Sequence, residues 1–459
     1  MIGLFYLLIA TMFFFLSVAW LSRIRSSFRW LNSKTLEKQT LRLNISSNDP
    51  RFFILIPVLD EVGTFEKTVS RFSKILQKFP GSRVIIITTE EEYTVNERNS
   101  EKDSVVISSY LSGNLHNVIS IHYPLKGGKM AHQVNYAVSF IKKHFSIHKG
   151  DLFALYNADS QPNTQTFFWV WDFLDKHPKK SGIRIFQQYG DYFGNYSDIK
   201  NSGLCFFKKS ILISAGLWQN RWSIGFEMPH ALCQKRKNRI LNMLFSPINY
   251  CIGHGLFFSL NAYEKIKGFS QETHNEDAIF GLKLNYYEIP ITPIPFFDKS
   301  HSPNNLKGLF FQKASWFFGP LEAFEYYQKI IKEDQLIDKF RLLILSVKLF
   351  SHAIYWIFGP LFLLILFILA FLLEKDSALI AWILVFLAFL VIPNVVSWVI
   401  IRGKLQEEKM SDILIFSLAG SLFFYMLHGA SAWFSLFRYL KKMLLGVKIK
   451  KQKTIMTNT

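Results

Sequence analysis

Six short stretches between residues 51 and 285 gather the side chains from which a reaction could be built. In ALYNADSQP (154–162) an apolar run delivers Asp159 to its polar end, with Asn157 two residues earlier. Carboxylate and amide oxygens are hard ligands for Mg²⁺ or Mn²⁺. An ion held there would bridge two phosphates and neutralise a leaving group. A capping Asp is the alternative. In YCIGHGLFFSLNAYEKIKGF (250–269) the Gly253-His254-Gly255 triplet suits close approach of the backbone to a ligand, and His254 either touches a second substrate or is structural. HNEDAIFGLKL (274–284) then opens an amphipathic helix with Asp277. A carboxylate there could take the proton of an attacking hydroxyl. Asn275-Glu276-Asp277 serves equally well as a helix cap.

Three other stretches suit a nucleoside and its phosphates. IPVLDEVGTFEKTV (56–69) places Asp60 and Glu61 in a turn after an apolar run. Two acids there accept hydrogen bonds from a base amide and from ribose hydroxyls, or they cap the following helix. TTEEEYT (88–94) offers Glu90 and Glu91 in a similar place, or a solvated acidic turn. LKGGKMAHQVNYAV (125–138) opens a helix with two glycines and Lys129, where backbone amides and a positive helix end suit a diphosphate or a sugar. The spacing is not that of a Walker A loop, which argues against a nucleoside triphosphatase. Asn135 faces the same ligand or packs inside the fold.

These residues need a frame. FFILIP (52–57), RVIIITT (83–89), VISIHYP (118–124) and LFALYNAD (152–159) read as strands, and residues 64–79 and 129–143 as helices. The alternation predicts a largely parallel sheet covered on both faces. Ligands in such sheets lie beyond the carboxyl ends of the strands, where most of these polar residues fall.

The rest of the chain is apolar. Half of the 459 residues are hydrophobic and 46 are Phe, concentrated before residue 22 and between about 340 and 437. Residues 1–21 are long enough to span a bilayer and are followed by Arg23, Arg25 and Arg29, which predicts an uncleaved anchor with its far end in the cytosol. Residues 305–335 read as an amphipathic interfacial segment or a surface helix. Further spans are expected at 346–373, 378–401 and 411–437, with Gly359-Pro360 and Gly429 as candidate breaks. Four spans from an outer N-terminus would leave the tail outside, whereas the basic tail 438–459 favours the cytosol. The net charge of +19 follows from Lys and Arg flanking apolar segments, where they meet anionic lipid. No nucleic-acid-binding pattern accompanies it. Cys205, Cys233 and Cys251 form no CxxC pair, which fits a reducing compartment.

The order of these pieces over residues 51–285 resembles glycosyltransferase family 2, with its GT-A fold. Pro57 with Asp60-Glu61 is similar to the first-strand motif, and Gly128, Lys129 and Asn135 to the Gly-Lys-x-x-Ala-x-Asn stretch. Asn157-Ala158-Asp159 resembles the DXD motif, and the GHG segment running to Gly268-Phe269 the acceptor-site stretch. Asn275-Glu276-Asp277 is similar to Thr-Glu-Asp, in which the Asp is the catalytic base. Thr89-Glu90-Glu91 replaces an Asp pair, Asn157 replaces the leading acid, and Gln312-Lys313-Ala314-Ser315-Trp316 keeps the Gln and Trp of Gln-x-x-Arg-Trp without its Arg.

The resemblance implies an α/β, GT-A-type mixed and mostly parallel sheet sandwiched by helices, at about residues 50–300, plus transmembrane helices. It implies an inverting transfer from a nucleotide-sugar to a lipid-linked or saccharide acceptor. Asp60, Glu61, Glu90, Lys129, Asn135, Asn157 and Asp159 would bind the donor, with Asp159 on Mg²⁺ or Mn²⁺. Asp277 would be the base, and His254, Glu276, Gln312 and Trp316 would meet the acceptor. The expected setting is a bacterial cell membrane with the catalytic domain in the cytosol. A processive polysaccharide synthase and a non-catalytic subunit are the competing expectations.

Overall fold

The computed structural model describes residues 2–33, 49–59, 61, 65–91, 104–177, 182–233, 239–372, 376–403 and 411–446. The chain divides into two units. One comprises residues 32–190 and 249–300, the other residues 1–31, 191–248 and 301–459.

The first unit is built on a seven-stranded sheet. Its strands are β1 (Phe52–Pro57), β2 (Arg83–Thr89), β3 (Val118–Tyr123), β4 (Leu152–Leu155), β5 (Ile185–Asp191), β6 (Leu256–Ser259) and β7 (Thr292–Lys299), in the order β3-β2-β1-β4-β6-β5-β7. β1 pairs in parallel with β2 and β4, and β2 with β3, whereas β6 runs antiparallel to β4 and β5. The apolar runs form these strands because both faces are covered, which leaves no polar face to alternate with. Phe52 is fully buried, with the rings of Phe79, Phe167 and Phe257 at 5.1, 5.4 and 6.2 Å in edge-to-face contact. The flanking helices read correctly from their periods. Phe65–Leu76 buries Phe65, Val69, Phe72 and Leu76, and Met130–His144 buries Ala131, Val134, Val138 and Ile141.

β4 is shorter than its sequence suggests. It ends at Leu155, and a turn closed by Ser160 N–H on the Asn157 carbonyl follows. The antiparallel register pairs Leu155 with Leu256. That pairing has a consequence for chemistry: the residues entering β6 arrive at the same edge as the residues leaving β4.

The second unit is helical. Among the described residues, three helices are long and apolar enough to cross a membrane: Lys339–Leu372, Ala378–Arg402 and Asp412–Leu445. A further helix spans Ile2–Leu31. The candidate breaks at Gly359-Pro360 and Gly429 do not interrupt their helices. Instead they meet, because a Cβ added at Gly429 would lie 2.8 Å from the Pro360 ring. The irregular turn lies elsewhere, at Leu387–Val391 just before Pro393. The last helix extends to Leu445 and so takes in the first basic residues of the tail, of which Lys442 pairs with Glu325 at 2.8 Å.

A helix at Phe206–Trp222 crosses the 411–445 helix at very close range. A Cβ built on Gly420 would lie 2.1 Å from the Ser210 carbonyl oxygen, and Ser214 donates to the Ser417 carbonyl at 3.1 Å. Small residues at such a crossing let backbones touch. Gly420→Ala must push the two helices apart, at a cost of about 1–3 kcal/mol or more. A lowered unfolding midpoint in detergent is expected, and an unchanged midpoint would refute this packing.

Candidate active site

The chemistry gathers at the carboxyl edge of the parallel strands. Asp277 enters the Glu276–Tyr286 helix, and its Oδ2 accepts the Gly253 N–H at 3.0 Å. The next residue, His254, is buried. Burial pushes the His254 imidazole down and the Asp159 carboxylate opposes that shift. Gly255, at φ +63°, cannot be replaced: a Cβ there would lie 2.6 Å from the Gln188 carbonyl oxygen. Gln187 holds the turn, donating to the His254 carbonyl at 2.8 Å and accepting the Ile252 N–H at 3.0 Å.

Asp298 completes this corner and was not anticipated from the sequence. It is fully buried near the end of β7, where Oδ1 accepts the Gln161 N–H at 2.8 Å. Burial pushes its carboxyl up to about 8. The Ser160 hydroxyl draws it down and the nearby Asp159 charge adds to the rise. The signal was present in ITPIPFFDK, an apolar run that ends in an acid as ALYNAD does.

At the neighbouring strand ends, Glu90 meets His122 Nε2 at 3.1 Å while Thr88 meets His122 Nδ1 at 2.9 Å. Glu91 accepts the Gly127 N–H. Gly128 sits so close to Thr89 and Tyr123 that a Cβ would approach them to 2.6 and 2.7 Å. Lys129 is exposed. Met130, the next residue, reaches the Gly253 turn, its Cε 3.2 Å from where a Gly253 Cβ would stand. Asn157 is exposed and Glu276 buried. Glu61 follows β1, with its carbonyl accepting the Phe65 N–H at 3.4 Å, and Asp60 lies outside the described residues. Asn135 is engaged within the fold. Its Oδ1 accepts from the Tyr263 hydroxyl and the Phe269 N–H, and its Nδ2 donates to the Phe269 carbonyl.

Asp159, partly exposed beside the buried Asp298 carboxyl and the buried His254 Nε2, which has no hydrogen-bond partner, suits a divalent ion. Among the described residues no three His, Cys, Asp or Glu side chains close into a metal cage. That combination fits an ion of the Mg²⁺ type, which is held by one or two carboxylates and completed by phosphates and water.

Gln312 and Trp316 belong to the helical unit, on the helix Leu306–Leu321. Trp316 stands edge-on to Tyr192 at 6.3 Å. Between them Lys313 is 2% exposed, with its ammonium 3.8 Å from the Trp316 ring centre and 3.3 Å from Gln219 Oε1. Burial pushes this lysine down to about 7. The folded protein therefore releases a proton that the unfolded chain still holds between about pH 7 and 10.5, so stability rises with pH across that window. Lys313→Met is expected to stabilise the protein at pH 7 by about 1–4 kcal/mol. The advantage should shrink toward pH 10. Thermal midpoints of the two proteins against pH check it, and a constant difference would contradict a buried titrating amine.

Residues 221–401 match the family model described as glycosyl transferase family group 2. No curated protein matches the chain. Among solved structures, the mannosyltransferase PcManGT from Pyrobaculum calidifontis in complex with GDP-Man and Mn²⁺ is 12% identical, with a TM-score of 0.45, covering 95% of this chain and 99% of that one. S. aureus TarS 1–349 in complex with UDP-GlcNAc is 12% identical, with a TM-score of 0.40, covering 83% and 91% respectively. The motifs at the sheet edge and the match over residues 221–401 point to one family, and it is glycosyl transferase family group 2 that this chain resembles.

Proposed function

We propose that the protein is an inverting, membrane-associated glycosyltransferase that moves a sugar from a nucleotide-sugar to a hydroxyl of a lipid-linked or saccharide acceptor. One observation carries the reading: the Gly253-His254-Gly255 turn is bonded to Asp277, and the Asp159 carboxylate lies near enough to His254 to act on its charge. The proposed base and the proposed diphosphate-binding carboxylate thereby meet at one turn. Asp277 takes the acceptor proton as the hydroxyl oxygen attacks the anomeric carbon. The bond from that carbon to the phosphate oxygen breaks, and the nucleoside diphosphate leaves with the electron pair. Asp159 would hold a Mg²⁺ or Mn²⁺ ion that neutralises the leaving diphosphate. The amides of residues 127–129 and the Glu90 and Glu61 carboxylates orient the donor. The apolar helices support a membrane setting, and the expected side for the sheet unit is the cytosol.

Ser315 stands where processive members carry an Arg, and this favours transfer of a single sugar. The test is nucleotide release by the full chain in nanodiscs with UDP-, GDP- and dTDP-sugars, Mg²⁺ or Mn²⁺, and lipid extract as acceptor. Release with one donor, abolished by chelation, is expected. Silence across the panel would favour a non-catalytic subunit, and long products would favour a processive synthase.

A further inference from the structure

The helical unit buries two cations, Lys313 and Arg221, without a carboxylate partner among the described residues. They are not equivalent. Burial pushes both down, Lys313 to about 7 and Arg221 to about 9, so at neutral pH the guanidinium still keeps its charge. Arg221 ends the Phe206–Trp222 helix and is 8% exposed. Its charge lies over the rings of Trp218, Phe389 and Trp20, at 4.5, 5.3 and 5.7 Å. Among the described residues one of its five N–H donors is engaged, and weakly, by Nη1 donating to Asn394 Oδ1 at 3.4 Å.

Asn394 is fully buried on the span Ala378–Arg402, and its Nδ2 has no acceptor. Ser397, three residues along and on the same helix face, is also fully buried with its hydroxyl unpartnered. What remains is a set of donors around a fixed positive charge: guanidinium N–H groups, an amide NH₂ and a hydroxyl. The Asn394 amide and the Ser397 hydroxyl are buried donors without acceptors, which are rare and costly. An anion with several oxygens would offer them acceptors and meet the guanidinium charge beside Asn394.

We propose that Arg221 and Asn394, with Ser397 beside them, bind the phosphate group of a lipid. The fork of a guanidinium fits two phosphate oxygens, and the amide and hydroxyl can reach a third. The aromatic wall of Trp20, Trp218 and Phe389 and the apolar span suit a hydrocarbon chain, which a free phosphate would lack. The phosphate has two sources: the carrier of a lipid-linked acceptor, which rests on the transferase reading above, or a phospholipid of the bilayer, which does not.

The test measures binding, so its failure and that of the transferase reading are separable. The full chain in detergent is offered a polyisoprenyl monophosphate, phosphatidylglycerol, and the uncharged polyisoprenol and diacylglycerol. Native mass spectrometry reads retention, and the thermal midpoint reads stabilisation. Wild type should retain each phosphorylated lipid at least tenfold better than its uncharged counterpart. Arg221→Gln and Asn394→Leu should lose that preference, with Arg221→Lys between them. A polyisoprenyl monophosphate that displaces phosphatidylglycerol identifies an acceptor carrier, whereas equal retention identifies a bilayer lipid. Equal retention of phosphorylated and uncharged lipids by wild type overturns the proposal. So does an unchanged preference in a folded Arg221→Gln protein. Should Arg221→Gln not fold, the wild-type comparison and Asn394→Leu decide the matter alone.

Discussion

Asp277→Asn is expected to slow sugar transfer by about 10²–10⁴-fold, the usual worth of general-base help, and to leave donor affinity within about twofold. The substitution is chosen for what it keeps. An asparagine oxygen can still accept the Gly253 N–H that Asp277 Oδ2 accepts at 3.0 Å, so the turn that carries His254 stays in place. What is lost is the capacity to take a proton. Asp277→Ala makes the contrast, since it removes the hydrogen bond as well and should loosen the turn and weaken the donor site. Single-turnover transfer and donor titration together read the split between rate and affinity. Transfer by Asp277→Asn at the wild-type rate would show that the proton goes elsewhere.

The parts of the fold legible in the sequence are those that obey a water-facing rule. β1 and β2 could be read because continuous apolar runs belong to strands buried on both faces. The carboxyl-edge residues followed, because each such run ends in polar residues. Asp298 obeys the same rule and escaped only because its strand is interrupted by Pro293 and Pro295. The Phe206–Trp222 helix breaks the rule. Its buried face includes Ser210, Ser214, Asn220 and Arg221, while Phe206 and Phe207 are exposed. Where helices cross closely, as at Ser210 and Gly420, small and polar residues turn inward, so an amphipathic pattern drawn for water points the wrong way. Asn135 illustrates a different limit. A motif position marks a residue, but only the structure shows that its amide holds Tyr263 and Phe269.

The corner formed by Asp159, His254 and Asp298 leads to the second large effect. Asp159 is the one carboxylate of the Asn157-Ala158-Asp159 motif, and Asp298 beside it is held up at about 8 by burial. Asp298 is fully buried whereas Asp159 is partly exposed, so Asp159 is the carboxylate open to a proposed diphosphate-bound ion. Removing it should cost more than removing one of several equivalent ligands. Asp159→Asn is expected to lower metal-dependent donor turnover by about 10²–10³-fold, the range for losing one group that stabilises developing charge. Donor affinity should become insensitive to added Mn²⁺, which calorimetric titration with and without chelator reads independently of turnover. The converse substitution is informative because Asn157 is exposed and free to change. Asn157→Asp adds a second hard carboxylate and should lower the Mn²⁺ concentration needed for half-maximal donor binding, without a loss of stability. Unaltered metal dependence in both variants would place the ion, and the leaving diphosphate with it, away from the end of β4.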